Sequence, residues 1–94
     1  MIREKELLAI VKRVRGKITP ESETGWNERR SIDEVIEQLN REVMALEGGD
    51  VNMLQLFNLY FAPTGFFQEL AMANGWSDDY MQLSTKWDEL YSQR

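Results

Sequence analysis

The chain of 94 residues contains neither cysteine nor histidine. The first absence excludes disulfides, thiolate nucleophiles and sulfur ligands for metals, and it leaves the redox compartment unconstrained. The second removes the side chain that most often serves as general acid, general base or metal ligand near neutral pH. Long apolar runs are missing too. The longest, residues 51 to 62, is broken by Asn52, Gln55 and Asn58 and falls well short of the roughly 20 residues that span a bilayer, so no membrane partner is expected. Charges interrupt the apolar positions that follow Met1, and no small-residue cleavage site follows them; this predicts no secretory leader and a cytoplasmic address.

Basic charge becomes scarce after the first helix. Residues 1 to 17 hold six basic side chains against two acidic ones, a balance of +4, whereas residues 18 to 94 hold five against fourteen, a balance of −9. The two portions should attract each other. An acidic body repels phosphate backbones, because nonspecific nucleic-acid affinity comes mostly from Lys and Arg displacing counterions. Nucleic acid is therefore disfavoured as a partner and a basic protein is favoured. With 43% hydrophobic and 29% charged residues, the composition is that of one globular domain over residues 1–94.

Helical periodicity organises that domain. Leu7, Ile10, Val11 and Val14 form a stripe at spacings of three and four, with Gly16 as a stop. Residues 17 to 30 are polar and read as a loop containing Pro20, Gly25 and one large aromatic, Trp26. Ser31 with Glu34 satisfies the capping-box pattern, after which Ile32, Val35, Ile36, Leu39, Val43 and Leu46 follow one face as far as Gly48 and Gly49. Asp50 can accept hydrogen bonds from the amides of a third helix, whose Val51, Met53, Leu54, Leu56, Phe57, Leu59, Tyr60 and Phe61 cover most of its circumference and place it in the centre. Pro63, Thr64 and Gly65 break the chain before a short helix with Phe66, Phe67, Leu70, Ala71 and Ala73, closed by Asn74 and Gly75. Ser77 can cap a last helix with Tyr80, Leu83, Trp87, Leu90 and Tyr91 on one face. The expected fold is all-α: an irregular bundle of about five helices around a central apolar helix.

Two segments resemble known families. Residues 68 to 84 resemble the helix-turn-helix of DNA-binding proteins, with Ala71 at the helix crossing, Gly75 in the turn and Met81 pinning the second helix. Asn74 and Ser84 fall where that family places core side chains. The second helix, moreover, begins with Ser77, Asp78 and Asp79 and carries Asp88 and Glu89 against Lys86 alone, a charge that phosphate rows repel. The run Leu59, Tyr60, Phe61, Ala62, Pro63, followed later by Asn74 and Gly75, resembles the small acidic helical immunity proteins that neutralise bacterial nuclease toxins. That resemblance implies a bacterial protein whose partner is another protein.

Candidate reaction centres do not emerge. Adjacent acids such as Asp78 with Asp79, or Asp88 with Glu89, diverge by about 100° around a helix and do not point at one site. Asp78 and Asp79 fit as first-turn residues that complement the helix dipole. No Ser-x-x-Lys, Gly-x-Ser-x-Gly or phosphate-cradling glycine loop occurs. The chain is thus expected to lack catalytic, metal and cofactor sites. What remains is a surface for another protein, with Trp26, Phe66, Trp76, Asp78 and Asp79 as contact residues: aromatics anchor interfaces, and acids steer basic partners. A helix-turn-helix regulator and a structural homodimer are the alternatives.

Overall fold

The computed structural model describes residues 2–24, 28–63 and 65–93, and Trp26 therefore lies outside the described residues. Among the described residues five helices follow one another: α1 (Ile2–Lys17), α2 (Ile32–Glu47), α3 (Met53–Tyr60), α4 (Phe66–Asn74) and α5 (Ser77–Ser92). No strand occurs among the described residues. The architecture is the small all-helical bundle that the periodicity predicts.

The stripe of α1 is fully used. Leu7, Ile10, Val11 and Val14 are buried, joined by Ile18 just past the helix. Gly16 does not stop α1, which runs on to Lys17. The last turn is held by the Ile18 amide donating to the Arg15 carbonyl at 3.1 Å and by Arg15 Nη1 donating to the Ile18 carbonyl at 2.8 Å. For α2 the capping box forms as expected: the Glu34 amide donates to Ser31 Oγ at 3.2 Å, and the Ser31 amide donates to Glu34 Oε1 at 3.1 Å. Gly49, with φ of 102°, turns the chain sharply afterwards, a backbone conformation that favours glycine. The Asn52 amide then donates to Asp50 Oδ1 at 3.1 Å, but α3 begins only at Met53 with Asn52 in the cap position, so Asp50 bonds the turn ahead of the helix rather than an amide of the helix itself.

Enclosure of α3 is only partial. Leu54 and Phe57 are fully buried, whereas Leu59 is 67% exposed and Val51 47%. The reason is packing order: α3 rests on α2 and α4, while α1 is the helix that packs against both α2 and α5. An eight-residue helix has too few turns to reach every neighbour. Ser77 does not cap α5 either. Trp76 occupies the cap position without a side-chain bond, and Ser77 is already helical. Gly75, with φ of 78°, closes α4 in the left-handed conformation and leads straight into the next helix, which leaves one residue for the junction.

Helices α1 and α5 lie antiparallel along each other. Lys17 at the end of α1 meets Asp79 at the start of α5 at 2.8 Å, and Arg3 Nη1 donates to the Gln93 carbonyl at 2.9 Å at the opposite end. Across α2, Lys12 pairs with Glu47 at 2.6 Å and Arg15 Nε donates to Asn40 Oδ1 at 2.7 Å. The basic first helix therefore spends much of its charge inside the fold. No helix of the described residues is long and apolar enough to cross a membrane.

Candidate interaction surface

Helix α5 divides cleanly by angle. Tyr80, Leu83, Trp87 and Leu90 face the core and are buried. At about 100° per residue, Asp78, Met81, Thr85, Asp88 and Glu89 fall in an arc of roughly 100° on the opposite side. All five are exposed, Met81 to 59%. The arc carries three acids and no base. A methionine lies between the acidic ends, which are separated by about 16 Å at 1.5 Å per residue.

The position of Glu89 is informative because helix physics argues against it. Acids are favoured in a first turn and disfavoured in a last one, where carbonyls already present partial negative charge. Asp78 and Asp79 sit in the favoured turn, whereas Glu89 sits in the last turn of a helix with no basic residue there. Asp88 and Glu89 have no ion-pair partner among the described residues. Local stability does not explain why these acids are present.

Among the contact residues expected from sequence, Trp76, Asp78 and Asp79 come together at the corner between α4 and α5. Trp76 is half-buried, and its ring packs edge-on against Tyr80 at 6.2 Å. Asp78 is exposed, while Asp79 is held by Lys17, whose side-chain bond keeps its carboxyl below the usual range. Phe66 lies at the other end of α4 and is not a free anchor. It packs edge-on against Tyr60 at 5.3 Å and sits beneath the Arg30 guanidinium at 5.3 Å. Its neighbour Phe67 is the inward-facing member of the pair, 1% exposed.

The described residues on either side of the loop's centre are each fastened near an end of α4. At the C-terminal end, Asn74 Oδ1 accepts from the Glu23 amide and Asn74 Nδ2 donates to the Glu23 carbonyl, both at 2.7 Å. The side-chain amide thereby mimics a strand partner for one peptide unit. At the N-terminal end, Arg30 grips Glu28 with Nε at 2.9 Å and Nη2 at 2.8 Å and also donates to Gln38. Gln38 donates in turn to Glu42, whose carboxylate accepts the Tyr60 hydroxyl at 3.1 Å. Glu28, Arg30, Gln38, Glu42 and Tyr60 thus connect the loop to α2 and α3 through charge-assisted bonds. Tyr60 is legible in the sequence only as an apolar helix position and in the immunity-like run, and it is not joined there to Glu28, Arg30, Gln38 or Glu42, because nothing in one sequence aligns positions so far apart.

This chain of bonds contributes to the pH dependence of the fold. Its side-chain bonds with Arg30 hold the Glu28 carboxyl at about 2, against an ordinary 4.5. Burial first, and then the Glu42 carboxylate, push the Tyr60 phenol from 10 to about 12; burial does the same for Tyr80. Glu28 therefore contributes stability that is complete above pH 4.5 and is lost as pH falls towards 2. The two phenols resist ionisation when folded, so stability declines as pH rises from 10 towards 12. Thermal melts across pH should show a plateau between these limits. Glu28→Gln should shallow the acid limb and Tyr60→Phe part of the alkaline one; limbs unchanged by both variants would contradict the assignment.

The helix-turn-helix spacing is met in two of its three places. Ala71 is fully buried and Gly75 is left-handed, but Met81 faces solvent while Tyr80 and Leu83 take the core positions. Within the segment that resembles immunity proteins, Phe61 is buried and stacked on Trp87 at 4.5 Å, and the Tyr60 hydroxyl is bonded to Glu42. Those aromatics are occupied inside the fold. No family model, curated protein or solved structure matches the chain.

Proposed function

We propose that the protein is a binding module that docks a basic partner protein on the outer face of α5, in the manner of an immunity, inhibitor or adaptor protein. The observation that carries this reading is the acidic arc of Asp78, Asp88 and Glu89 around exposed Met81, with Glu89 placed against its own helix dipole. Acids of this kind raise association rates towards a positive surface, and a central apolar side chain supplies buried area once water is expelled. Trp76 at the adjoining corner extends the contact, and Trp26 remains a candidate anchor. The absence of histidine and cysteine supports a binding role over a catalytic one. DNA recognition finds less support, because the same arc would face the phosphates.

Affinity capture from host lysate, with wild-type protein and the Asp78→Lys/Glu89→Lys variant side by side, tests the reading. The wild type should retain a basic protein whose affinity weakens about tenfold or more in the variant and falls with added salt. Both positions are exposed, so melting should change little. Equal retention by the two proteins would overturn the proposal. A concentration-dependent dimer in sedimentation, disrupted by the same variant, would instead make this face a contact between two copies.

A further inference from the structure

The flank of α5 that faces α1 has the opposite electrostatic character to its outer face. Arg13 and Lys17 on one wall, and Asp79, Gln82 and Lys86 on the other, border a cleft of about 400 Å³. Its floor is Ile10 and Leu83, 6% and 7% exposed. Asp79 is already paired with Lys17. Arg13 and Lys86 stand on different helices with no ion-pair partner among the described residues. The cleft thus carries a charge of +2 within a chain whose total is −5.

We propose that this cleft binds a small phosphate monoester by its phosphoryl group. Charge selects the ligand class. A phosphate monoester carries about −1.5 to −2 at neutral pH and matches both free cations, whereas a carboxylate matches only one. The guanidinium of Arg13 suits two-point contact with phosphoryl oxygens, Lys86 supplies a point charge from the facing wall, and the Gln82 amide adds a neutral donor. A bound dianion also removes the mutual repulsion of two cations held on rigid, opposed helices. The apolar floor favours an organic remainder over inorganic phosphate alone, and a concave site with low-dielectric walls concentrates the field. The cleft adjoins the acidic arc along Gln82 and Lys86, but its Arg13 and Lys17 stand on α1 and take no part in that arc, so the Arg13 arm of the test reads the cleft alone.

Amide NMR shifts of the full chain, titrated with phenyl phosphate, inorganic phosphate and benzoate in turn, provide the test. Phenyl phosphate should move the amides of residues 10–17 and 79–86 with saturation and bind about tenfold or more tightly than benzoate. Its affinity should fall on going from pH 7.5 to 5.5, across the second phosphate ionisation near 6, while benzoate is unaffected. Arg13→Gln/Lys86→Gln should weaken phenyl phosphate about tenfold or more without lowering the melting midpoint, and Lys86→Gln alone should act in the same direction. Shifts scattered over exposed cations such as Lys5 and Arg29, or binding indifferent to these variants, would overturn the site. Equal affinity for inorganic phosphate and phenyl phosphate would overturn the monoester.

Discussion

Replacing Trp87 with alanine is expected to remove about 3–5 kcal/mol of folding stability and to lower the melting midpoint by on the order of 20 °C. Trp87 is the largest of the fully buried side chains. Its ring stacks on Phe61 at 4.5 Å and on Tyr91 at 5.8 Å, and its indole Nε1 donates to Asn58 Oδ1 at 2.9 Å. Truncation therefore opens a cavity between α3 and α5 and also leaves the Asn58 amide without its donor. A domain of this size has about 5–15 kcal/mol in total, so the variant sits close to the folding threshold. Trp87→Phe, which keeps most of the volume and loses the hydrogen bond, should fall between the two. Met81→Ala, six residues earlier on the exposed side, should change stability by no more than about 0.5 kcal/mol. Urea unfolding of the three variants gives the comparison; a Trp87→Ala loss no larger than that of Met81→Ala would show that the aromatic stack is not the centre of the core.

Gly65→Ala is expected to destabilise by about 2–3 kcal/mol, more than its single added methyl suggests. The backbone there is extended, with φ of −80° and ψ of −177°, so conformational strain is not the cause. Space is. A Cβ at this position would lie 2.7 Å from the Ala62 carbonyl oxygen, 2.9 Å from that of Leu59 and 3.0 Å from that of Tyr60. All three are main-chain atoms at the end of α3, which cannot swing aside as a side chain can. The Gly65 amide also donates to the Ala62 carbonyl at 2.8 Å, so relief of the clash pulls on the bond that sets the corner. Since that corner aims Phe66 and Phe67 at Tyr60, near-ultraviolet circular dichroism should change along with the urea midpoint. A shift below about 0.5 kcal/mol would mean that the turn relaxes freely.

Much of the fold is legible in the sequence because helix signals are local. The capping box at Ser31, the buried stripes of α1, α2 and α5, and the left-handed Gly75 all follow from residues within a turn or two of each other. What the sequence hides depends on orientation. Leu59 and Met81 are as apolar as their buried neighbours, and only the packing partners decide that both face outward. Ser77 has good cap chemistry but stands one residue too far along, because Trp76 already occupies the cap position. Asn74 was legible as a helix terminator; its grip on Glu23, 51 residues away, was not. Of the candidate contact residues, Asp78 is exposed, Asp79 is paired with Lys17, and Phe66 is engaged by Arg30 and Tyr60. That Met81 and Glu89 share the exposed side of α5 becomes visible only once the core side of that helix is known.

The antiparallel seating of α1 on α5 has a kinetic consequence. Neighbouring pairs such as α2 with α3, or α4 with α5, close short loops, whereas Lys17 must find Asp79 across 62 positions and Arg3 must find Gln93 across 90. Closure entropy grows only as the logarithm of loop length, but it is lost before the distant contacts return anything. During synthesis, one side of the first helix consequently waits, uncovered, until the final sixteen-residue helix has left the ribosome. Docking of α5 on α1 therefore closes the longest loops of the fold.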